Sequence, residues 1–399
     1  MTSPLENIKV IDMSRILAGP WAGQLLGDYG ADVVKVERPG IGDDTRQWGP
    51  PWLGEESGYF LSANRNKRSI TVNLAVSKGQ EIIKRMAMQA DVLLENYKVG
   101  TLARYGLGPK DLRKLNPRLI YCSISAYGQT GSRADQPGYD AMIQASAGLM
   151  SVTGPASDEH GGPQKVGVAI TDIMAGMYAT TAILAALNSR TVSGQGQTID
   201  VPLYDSQVAW LANQNMNFLL SGAPPQRMGT AHPNLVPYQT FATADGGLML
   251  AVGNDSQFEN CCEAIGLQSL ANDLRFATMS KRIENRGVLI KLLQTQFQSD
   301  STEKWLEKLL EFRVPAGPIN DIEEVLTNEH AIERGLVRHI ENAAGNAVPQ
   351  VSNPVDFEGT PVGYERAPPL LGEHTNEVLH EWLGYSDAEI KALKNLGVV

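Results

Sequence analysis

The sequence predicts an α/β protein with a largely parallel β-sheet and a second, smaller domain. Short apolar runs alternate with helical patterns through the first 125 residues. Strands separated by helices indicate βαβ units, and such sheets present ligands at the carboxyl ends of their strands. A length of 399 residues exceeds what one small core requires, which favours two domains.

The apolar runs and the helical periodicity give the elements of the first half in order. The predicted strands are IKVIDM (8–13), ADVVKVE (31–37), SITVNL (69–74), DVLLEN (91–96) and RLIYCSIS (118–125). Predicted helices cover WAGQLLGDYG (21–30), which ends in glycine, and KGQEIIKRMAMQA (78–90). Two long helical patterns, 172–188 and 203–220, flank a further strand, QTIDVPL.

Two turn-rich passages divide the second half of the chain. Residues 221–238 are rich in proline and glycine, so we predict a domain boundary there. TFATADGGLMLAVG indicates a strand pair, and residues 255–312 are mostly helical. A proline-rich passage at 351–374 precedes two C-terminal helices. The expected organisation is a large domain over 1–220, a small domain with a linker over 221–335, and a linker and C-terminal helices over 336–399.

Composition narrows the classes of partner. The net charge of −10 argues against nucleic acid or an anionic membrane as the main partner. The three cysteines are too few for a disulfide framework, which indicates a reducing compartment. The N-terminus has no charged region followed by an apolar stretch, so we predict no signal peptide. The apolar run at 173–187 is too short for a membrane span and suits a buried helix. We therefore expect a cytoplasmic protein.

Several common catalytic motifs are missing from the sequence. It contains no GxGxxG, no GK dipeptide of a phosphate-binding loop, no GxSxG, no CxxC and no HExxH. The six histidines are scattered, so we predict no metal site. Carboxylates, backbone amides and the ligand's own chemistry remain as means of catalysis.

Basic residues recur at the predicted ligand edge of the sheet. Arg38 follows the second strand, NRNKRS (64–69) places Lys67 and Arg68 before the next, and Arg104 follows DVLLEN. Such a cluster in an acidic protein would suit a phosphorylated, nucleotide-like ligand. Solvated surface charge accounts for the same pattern.

One carboxylate stands at the start of a nearly uncharged helical run, VAITDIMAGMYATTAILAAL (168–187). Asp172 has two interpretations. It can cap the helix by accepting backbone N–H groups, or it can act as a nucleophile whose ionised form the helix N-terminus favours. The local pattern does not separate these two roles.

A series of motifs gives the sequence a family resemblance. The segments ILAGPWAGQLLGDYGADVVKVERPGIGD, NRNKRSITVNL, ENYKVGTLARYGLG, YCSISAYGQTG, PGYDAMIQASAGLM and AITDIMAG occur in this order. Together they resemble the class III (CaiB/BaiF-type) CoA-transferases, with similarity reaching LLGEHTNEVL near the end. GDDTRQWGPP, GTAHPNLVPYQTF and VPAGPIND are most similar to the succinyl-CoA-dependent dicarboxylate branch, which includes succinate–glutarate and succinate–hydroxymethylglutarate CoA-transferases.

The resemblance implies a mechanism and its nucleophile. The family's nucleophilic aspartate lies in the motif that reads AITDIMAG here, so it corresponds to Asp172. Its carboxylate would form a mixed anhydride and then an aspartyl-CoA thioester, dividing one exchange into easier steps. CoA esters would be substrates, with a short dicarboxylic acid such as glutarate, itaconate, mesaconate or hydroxymethylglutarate as acceptor, and no tightly bound cofactor is implied.

The resemblance also implies contacts for the CoA ester. Arg38 and Arg104 match CoA-contacting residues, Asn96 lines the same cleft, and the segment with Lys67 and Arg68 lies near the adenosine phosphates.

Contacts with the acid are implied with less detail. Tyr139 and Asp140 would lie beside the nucleophile, and His232 in GTAHPN would face the substrate. Leu17 replaces the glutamine that precedes AGP in formyl-CoA transferases, which argues against formate and oxalate. A second substrate carboxylate needs a cationic partner, for which Arg15, Arg46 and His232 are the candidates and Arg15 is preferred.

The family fold implied by the resemblance is a ring-like subunit. It has a Rossmann-like large domain, a smaller α+β domain and long linkers, and two subunits interlock as a homodimer. The proline-rich passages at 221–238 and 351–374 lie where those linkers are expected.

Two alternative functions remain at this stage. An α-methylacyl-CoA racemase shares the fold but needs two opposed acid–base groups, and the family's histidine base is replaced by Tyr139. Tyrosine ionises only near pH ~10, so it is a poor base at neutral pH. A non-catalytic CoA-ester binding protein is the second alternative, and the retained Asp172 argues against it.

Overall fold

The structure, a computed structural model, describes residues 3–157 and 160–399. The chain forms two compact units. The first comprises Met1–Leu149, Lys165–Gly222 and Glu329–Val399, and the second comprises Met150–Gln164 and Ala223–Asn328. Membership of residues 150–164 in the second unit was not anticipated from the sequence.

Thirteen strands are assigned within the described residues. In chain order they are β1 Lys9–Asp12, β2 Asp32–Glu37, β3 Trp52–Leu53, β4 Glu56–Ser57, β5 Lys67–Thr71, β6 Val92–Glu95, β7 Ile120–Ser125, β8 Thr198–Pro202, β9 Tyr238–Ala242, β10 Gly247–Ala251, β11 Ala316–Pro318, β12 Val337–Glu341 and β13 Ala347–Val351.

The helices are distributed over both units. They are α1 Ala18–Asp28, α2 Gly58–Leu61, α3 Ser77–Ala87, α4 Thr101–Arg104, α5 Pro109–Leu115, α6 Asp140–Ser146, α7 Leu149–Val152, α8 Ile170–Ser193, α9 Leu203–Trp210, α10 Asn213–Ser221, α11 Asp255–Ala264, α12 Gln268–Ala271, α13 Met279–Glu284, α14 Arg286–Phe297, α15 Thr302–Glu311, α16 Ile322–Thr327, α17 Glu329–Glu333, α18 Thr375–Leu383 and α19 Asp387–Asn395, with a 3₁₀ turn at Asp44–Gln47.

A six-stranded parallel sheet organises the first unit and confirms the predicted α/β class. Its strand order is β5-β2-β1-β6-β7-β8, and all five pairings are parallel. Alternate side chains serve opposite faces. Val10 and Val33 face one core layer, whereas Ile11 and Val34 face the other.

Different helices cover the two faces of this sheet. Helices α1 and α8 supply residues to the layer that contains Val10, and α3, α5, α18 and α19 supply the layer that contains Ile11. The parallel order brings the carboxyl ends of all six strands to one edge, where the loops after β1, β2, β6 and β7 meet. This edge carries the candidate site.

Helices α1 and α8 touch through a residue without a side chain. A Cβ placed on Gly176 would lie 2.6 Å from the main-chain oxygen of Ala18 and 3.2 Å from Cβ of Trp21. Only glycine permits this approach, which fixes the start of α8 against the start of α1. By length and composition α8 could also cross a membrane, but half of its most apolar 18-residue stretch is buried inside the protein, as in a core helix.

The second unit is smaller and antiparallel. Strands β9 and β10 form the predicted strand pair, an antiparallel hairpin, and β11 pairs with β10. Helices α11, α12, α14 and α15 pack on this sheet around Phe241, Phe258, Phe297 and Trp305.

One predicted helix is wrong in detail. Residues 203–220 form two helices, α9 and α10, because Ala212 between them has a φ of +44°. Side chains rarely adopt that conformation, and it ends helical hydrogen bonding at this point.

Candidate active site

Asp172 is the third residue of α8, but it does not cap the helix. Asp140, at the start of α6, performs that role instead. Its Oδ1 accepts the backbone N–H of Thr171 at 2.8 Å and that of Asp172 at 3.3 Å, while Gln144 Nε2 donates to its Oδ2 at 2.6 Å. Within the described residues no hydrogen bond reaches the Asp172 carboxyl group. The helix-cap interpretation of Asp172 is therefore wrong.

The environment of Asp172 disfavours its ionised form. The residue is 8% exposed. Burial and, to a smaller extent, the negative charge of Asp140 together raise the pKa of its carboxyl to about 7. A carboxyl group with such a pKa is more basic than an ordinary aspartate, and its protonated and ionised forms coexist near neutral pH. This combination suits a nucleophile or a general acid–base group.

Asp172 lies in the wall of a cavity of about 240 Å³ at the carboxyl edge of the sheet. Residues after β1, β6 and β7 share this wall, including Arg15, Asn96 and Tyr139. The volume is below the ~300–1,000 Å³ of typical drug-sized sites. The structure thus brings four of the predicted site residues to one cavity, which has the size for a short acid.

The loop after β1 presents Arg15 to the cavity. Asn96 fixes its backbone from both sides: Oδ1 accepts the Arg15 N–H at 2.8 Å, and Nδ2 donates to the Arg15 carbonyl at 2.6 Å. The guanidinium donates from Nη1 to Asp44 Oδ2 at 2.9 Å and lies 5.3 Å from the ring centre of Tyr97. Asn96 therefore acts through the backbone of Arg15 as well as lining the site.

Arg38 and Arg104 are exposed cations at the same edge. Arg38 directly follows β2, and its side chain makes no ion pair or hydrogen bond with any described residue. Arg104 ends α4 and has one weak contact, 3.5 Å to Thr101 Oγ1. Lys98 also lines the cavity. Their donors are available to an anionic ligand, and a CoA contact remains the prediction for both arginines.

The prediction of Lys67 and Arg68 as phosphate-binding residues is wrong. Lys67 is fully buried and donates to Asp12 Oδ2 at 2.9 Å, to the Pro20 carbonyl at 2.8 Å and to Asn64 Oδ1 at 2.9 Å. Three acceptors use the three protons of an ammonium group, so none is left for a ligand.

Arg68 is likewise engaged within the protein. It is 4% exposed and pairs with Asp32, Glu377 and Glu381 at 2.6–2.7 Å. The basic NRNKRS segment therefore joins the sheet to α18 rather than facing a ligand.

The prediction that Arg46 could bind the second carboxylate of the substrate is also wrong. It is 5% exposed, forks onto Glu37 with Nε and Nη2, and donates from Nη1 to Glu56 at 2.6 Å. Its guanidinium lies 3.7 Å from the Phe60 ring centre. Every nitrogen is occupied, so Arg46 stabilises the loop after β2.

His232 belongs to the second unit. Its Nδ1 accepts the backbone N–H of Asn234 at 3.0 Å, and Arg286 donates to its carbonyl oxygen at 2.8 Å. Burial lowers the pKa of His232, and Arg286 lowers it further. Its role towards a substrate remains a prediction.

Two features of the site were not found from the sequence. Asp44 and Tyr97 hold the Arg15 guanidinium, although neither stood out as a site residue. Asp44 is two positions after the glycine that begins GDDTRQWGPP, and Tyr97 directly follows Asn96. Their position just past two parallel strands was the available signal. Among residues 3–157 and 160–399 no group of three His, Cys, Asp or Glu residues could hold a metal ion.

The chain is similar in sequence to known CoA-transferases. The chain is 47% identical over 384 residues to succinate–glutarate CoA-transferase of Agrobacterium fabrum, covering 95% of each chain. It is 44% identical over 396 residues to succinyl-CoA:glutarate CoA-transferase of Homo sapiens, covering 99% of this chain and 90% of the human protein.

Solved structures lead to the same family. A CaiB/BaiF family protein from Brucella suis superposes with a TM-score of 0.84 at 44% identity, covering 96% of this chain and all of that one. The sequence profile of CoA-transferase family III matches residues 5–375. The chain therefore belongs to CoA-transferase family III and is an enzyme of that class.

Proposed function

We propose that the protein transfers CoA from succinyl-CoA to glutarate or a similar short dicarboxylic acid, with Asp172 as the nucleophile. The main support is the environment of the Asp172 carboxyl group. It is buried, accepts no hydrogen bond within the described residues, and shares one small cavity with Arg15. The names of two relatives, a succinate–glutarate CoA-transferase and a succinyl-CoA:glutarate CoA-transferase, support the choice of donor and acceptor.

The first half of the proposed reaction consumes the donor. An Asp172 carboxylate oxygen attacks the thioester carbonyl carbon, the C–S bond breaks, and CoA leaves as thiolate. The thiolate then attacks the aspartyl carbonyl of the mixed anhydride, and succinate departs. Asp172 is now an aspartyl-CoA thioester.

The second half repeats these steps in reverse with the acceptor. Its carboxylate attacks the aspartyl thioester, CoA thiolate leaves, and the thiolate attacks the acceptor's own acyl carbon in the new anhydride. The products are acceptor-CoA and free Asp172 carboxylate. Both intermediates hydrolyse readily, so the burial of Asp172 limits the loss of activated acid to water.

The nucleophile is tested by Asp172→Asn with a matched control. Asp205 is also the third residue of its helix, α9, and is exposed, so Asp205→Asn controls for removing an acidic residue from a first turn. We expect Asp172→Asn to abolish exchange of labelled succinate into succinyl-CoA and Asp205→Asn to leave it unchanged. Borohydride or hydroxylamine added during turnover should modify Asp172, as mass spectrometry of peptides would show.

Other outcomes would favour the alternatives. Retained exchange in Asp172→Asn would remove Asp172 as the nucleophile. Deuterium uptake next to the thioester carbonyl without acyl exchange would indicate a racemase, and CoA-ester binding without turnover in the unmodified protein would indicate a binding protein.

Arg15 is proposed to bind the acceptor's second carboxylate. It is the arginine in the cavity wall, and a charged group left unpaired in a partly buried site is costly. Arg15→Met should raise the KM for glutarate far more than the KM for butyrate, which has no second carboxylate. Equal changes for both acids would exclude Arg15 from this role.

A homodimer is proposed as the assembly. No residue of α10 is buried in the isolated chain, and Leu219 and Leu220 are 69% and 82% exposed. An apolar helix face of this kind is normally covered by protein. Light scattering should give twice the mass of the chain, and a monomer would refute the proposal.

A further inference from the structure

Two adjacent acids contact the segment after β1: Asp43 binds its backbone, and Asp44 binds the Arg15 side chain. Ile16 has a φ of +73°, a region that branched side chains rarely adopt. Asp43 holds it there: Oδ1 accepts the Ile16 N–H at 3.2 Å, and Oδ2 accepts from the fully buried Lys35 at 2.8 Å. Lys35 also donates to the carbonyl of Ser14 at 3.0 Å. The backbone that carries Arg15 is thus fixed from the buried side.

Asp44 holds the Arg15 side chain from the exposed side. Their side chains are 47% and 44% exposed, and the ion pair uses one guanidinium nitrogen, Nη1. The Tyr97 ring lies near the guanidinium, 5.3 Å from centre to Cζ. Within the described residues nothing is bonded to Nε or Nη2 of Arg15.

This geometry leaves one side of a planar group open. The Nε and Nη2 donors of arginine point the same way and bind a carboxylate through two parallel hydrogen bonds. A guanidinium fixed at Nη1 and beside an aromatic ring loses less rotational freedom when it binds a second carboxylate than a free side chain does.

We propose that Asp44 is a positioning residue that determines specificity for dicarboxylic acceptors by orienting Arg15 for a two-bond contact with the acceptor's distal carboxylate. This inference rests on the proposed function, because it assigns the acceptor carboxylate to Arg15. The proposal assigns Asp44 no contact with the acid, although it lines the same cavity, so its whole effect should pass through Arg15.

The test is a double-mutant cycle with Asp44→Asn, Arg15→Met and the double variant, in which KM and kcat are measured for glutarate and for butyrate with succinyl-CoA as donor. Asparagine keeps the shape of Asp44 and removes its charge. We expect Asp44→Asn to raise the KM for glutarate about two- to five-fold, the range for an exposed ion pair. The kcat and the KM for butyrate should be unchanged.

The cycle separates an effect through Arg15 from a general one. In the Arg15→Met background, Asp44→Asn should change nothing further, because the two residues share one interaction. Asp44→Glu should restore part of the glutarate KM. Asp273→Asn, which breaks a carboxylate–guanidinium pair with Arg275 in the second unit, is the control and should match the unmodified protein.

Five results would overturn the inference. A lower KM for glutarate in Asp44→Asn would show that Asp44 competes with the substrate for Arg15. Additive effects in the double variant, or equal effects on glutarate and butyrate, would show that Asp44 acts on the fold. If Arg15→Met fails to discriminate the two acids, the proposed role of Arg15 fails as well, whereas discrimination by Arg15→Met alone refutes only the role of Asp44.

Discussion

Asp140→Asn separates the two effects that the Asp140 carboxylate has on Asp172. Asparagine keeps an oxygen at Oδ1, so it can still accept the N–H groups of Thr171 and Asp172 that Asp140 accepts. It removes the negative charge that, after burial, raises the pKa of Asp172. The variant therefore keeps an acceptor for the cap of α8 and removes the charge beside the nucleophile, but its Nδ2 cannot accept the hydrogen bond that Gln144 Nε2 donates to Asp140 Oδ2.

The expected change follows from the order of the two causes. A neighbouring charge alters a carboxyl pKa by about 1–3 pH units, and burial, the larger cause here, remains in the variant. We therefore expect the pKa of Asp172 to fall by about one pH unit, which corresponds to ~1.4 kcal/mol. The reaction requires ionised Asp172, so activity is lost as the pH falls through its pKa. This acid limb should move to lower pH in Asp140→Asn.

The acid limb of the pH–activity profile can be measured by isotope exchange between labelled succinate and succinyl-CoA. The pH dependence of kcat/KM for succinyl-CoA reports groups of the free enzyme and would be recorded between about pH 5.5 and 8.5. Asp205→Asn, at the equivalent position of α9, should leave the limb in place. Asp140→Ala should add a stability loss of about 0.5–2 kcal/mol, because it also removes the cap. An acid limb at the same pH in Asp140→Asn and in the unmodified protein would refute the argument.

Three further predictions concern binding and stability. Arg38→Ala and Arg104→Ala should each weaken CoA-ester binding by about 1–3 kcal/mol in calorimetry. An arginine that contacts the 3′-phosphate should cause a smaller loss of affinity for dephospho-CoA than for CoA. Equal losses of affinity for CoA, dephospho-CoA and pantetheine analogues would mean an effect on folding. Arg46→Met should lower the free energy of unfolding by about 3–5 kcal/mol because it leaves buried Glu37 unpaired. In the same urea titration, Arg15→Met should change the free energy of unfolding by no more than about 0.5 kcal/mol. Equal losses in the two variants would contradict the burial of Arg46 and the exposure of Arg15. Gly176→Ala should cost about 1–3 kcal/mol, because the new methyl group meets a main-chain oxygen at 2.6 Å, and an unchanged urea midpoint would show that the helices separate freely.

Local sequence patterns were sufficient for most of the secondary structure. The apolar runs that predicted five strands in the first 125 residues correspond to β1, β2, β5, β6 and β7, within a few residues at each end. Their branched residues and flanking turns carry that information locally. The strand order in the sheet depends on contacts between distant segments, and no local pattern contained it.

The site shows the same division between local and distant information. Arg15 was predicted from its place after a strand, and Asn96 and Asp172 from the family motifs; all three line one cavity. It was not enough for Lys67 and Arg68, because their carboxylate partners lie 55 residues away in Asp12 and about 310 residues away in α18. A basic segment looks the same in sequence whether its counter-ions are in the protein or on a ligand.

The cap of α8 is a second case of distant information. Asp172 occupies a position that suits a capping residue, yet the cap comes from Asp140, more than 30 residues earlier. Since Asp140 satisfies those N–H groups, the Asp172 carboxyl is left free of them. A helix with an acid in its first turn therefore does not reveal which acid is structural.

The contact at Gly176 has a consequence for changing the enzyme. The proposed reacting group is on α8, whereas the proposed acceptor-binding group is on the loop that leads into α1, and the two helices meet where Gly176 has no side chain. Side chains on the loop can therefore be exchanged without altering the helix that carries Asp172. We expect libraries at positions 15, 44 and 97 to yield folded variants with new acceptor acids, whereas libraries at position 176 should yield few folded proteins.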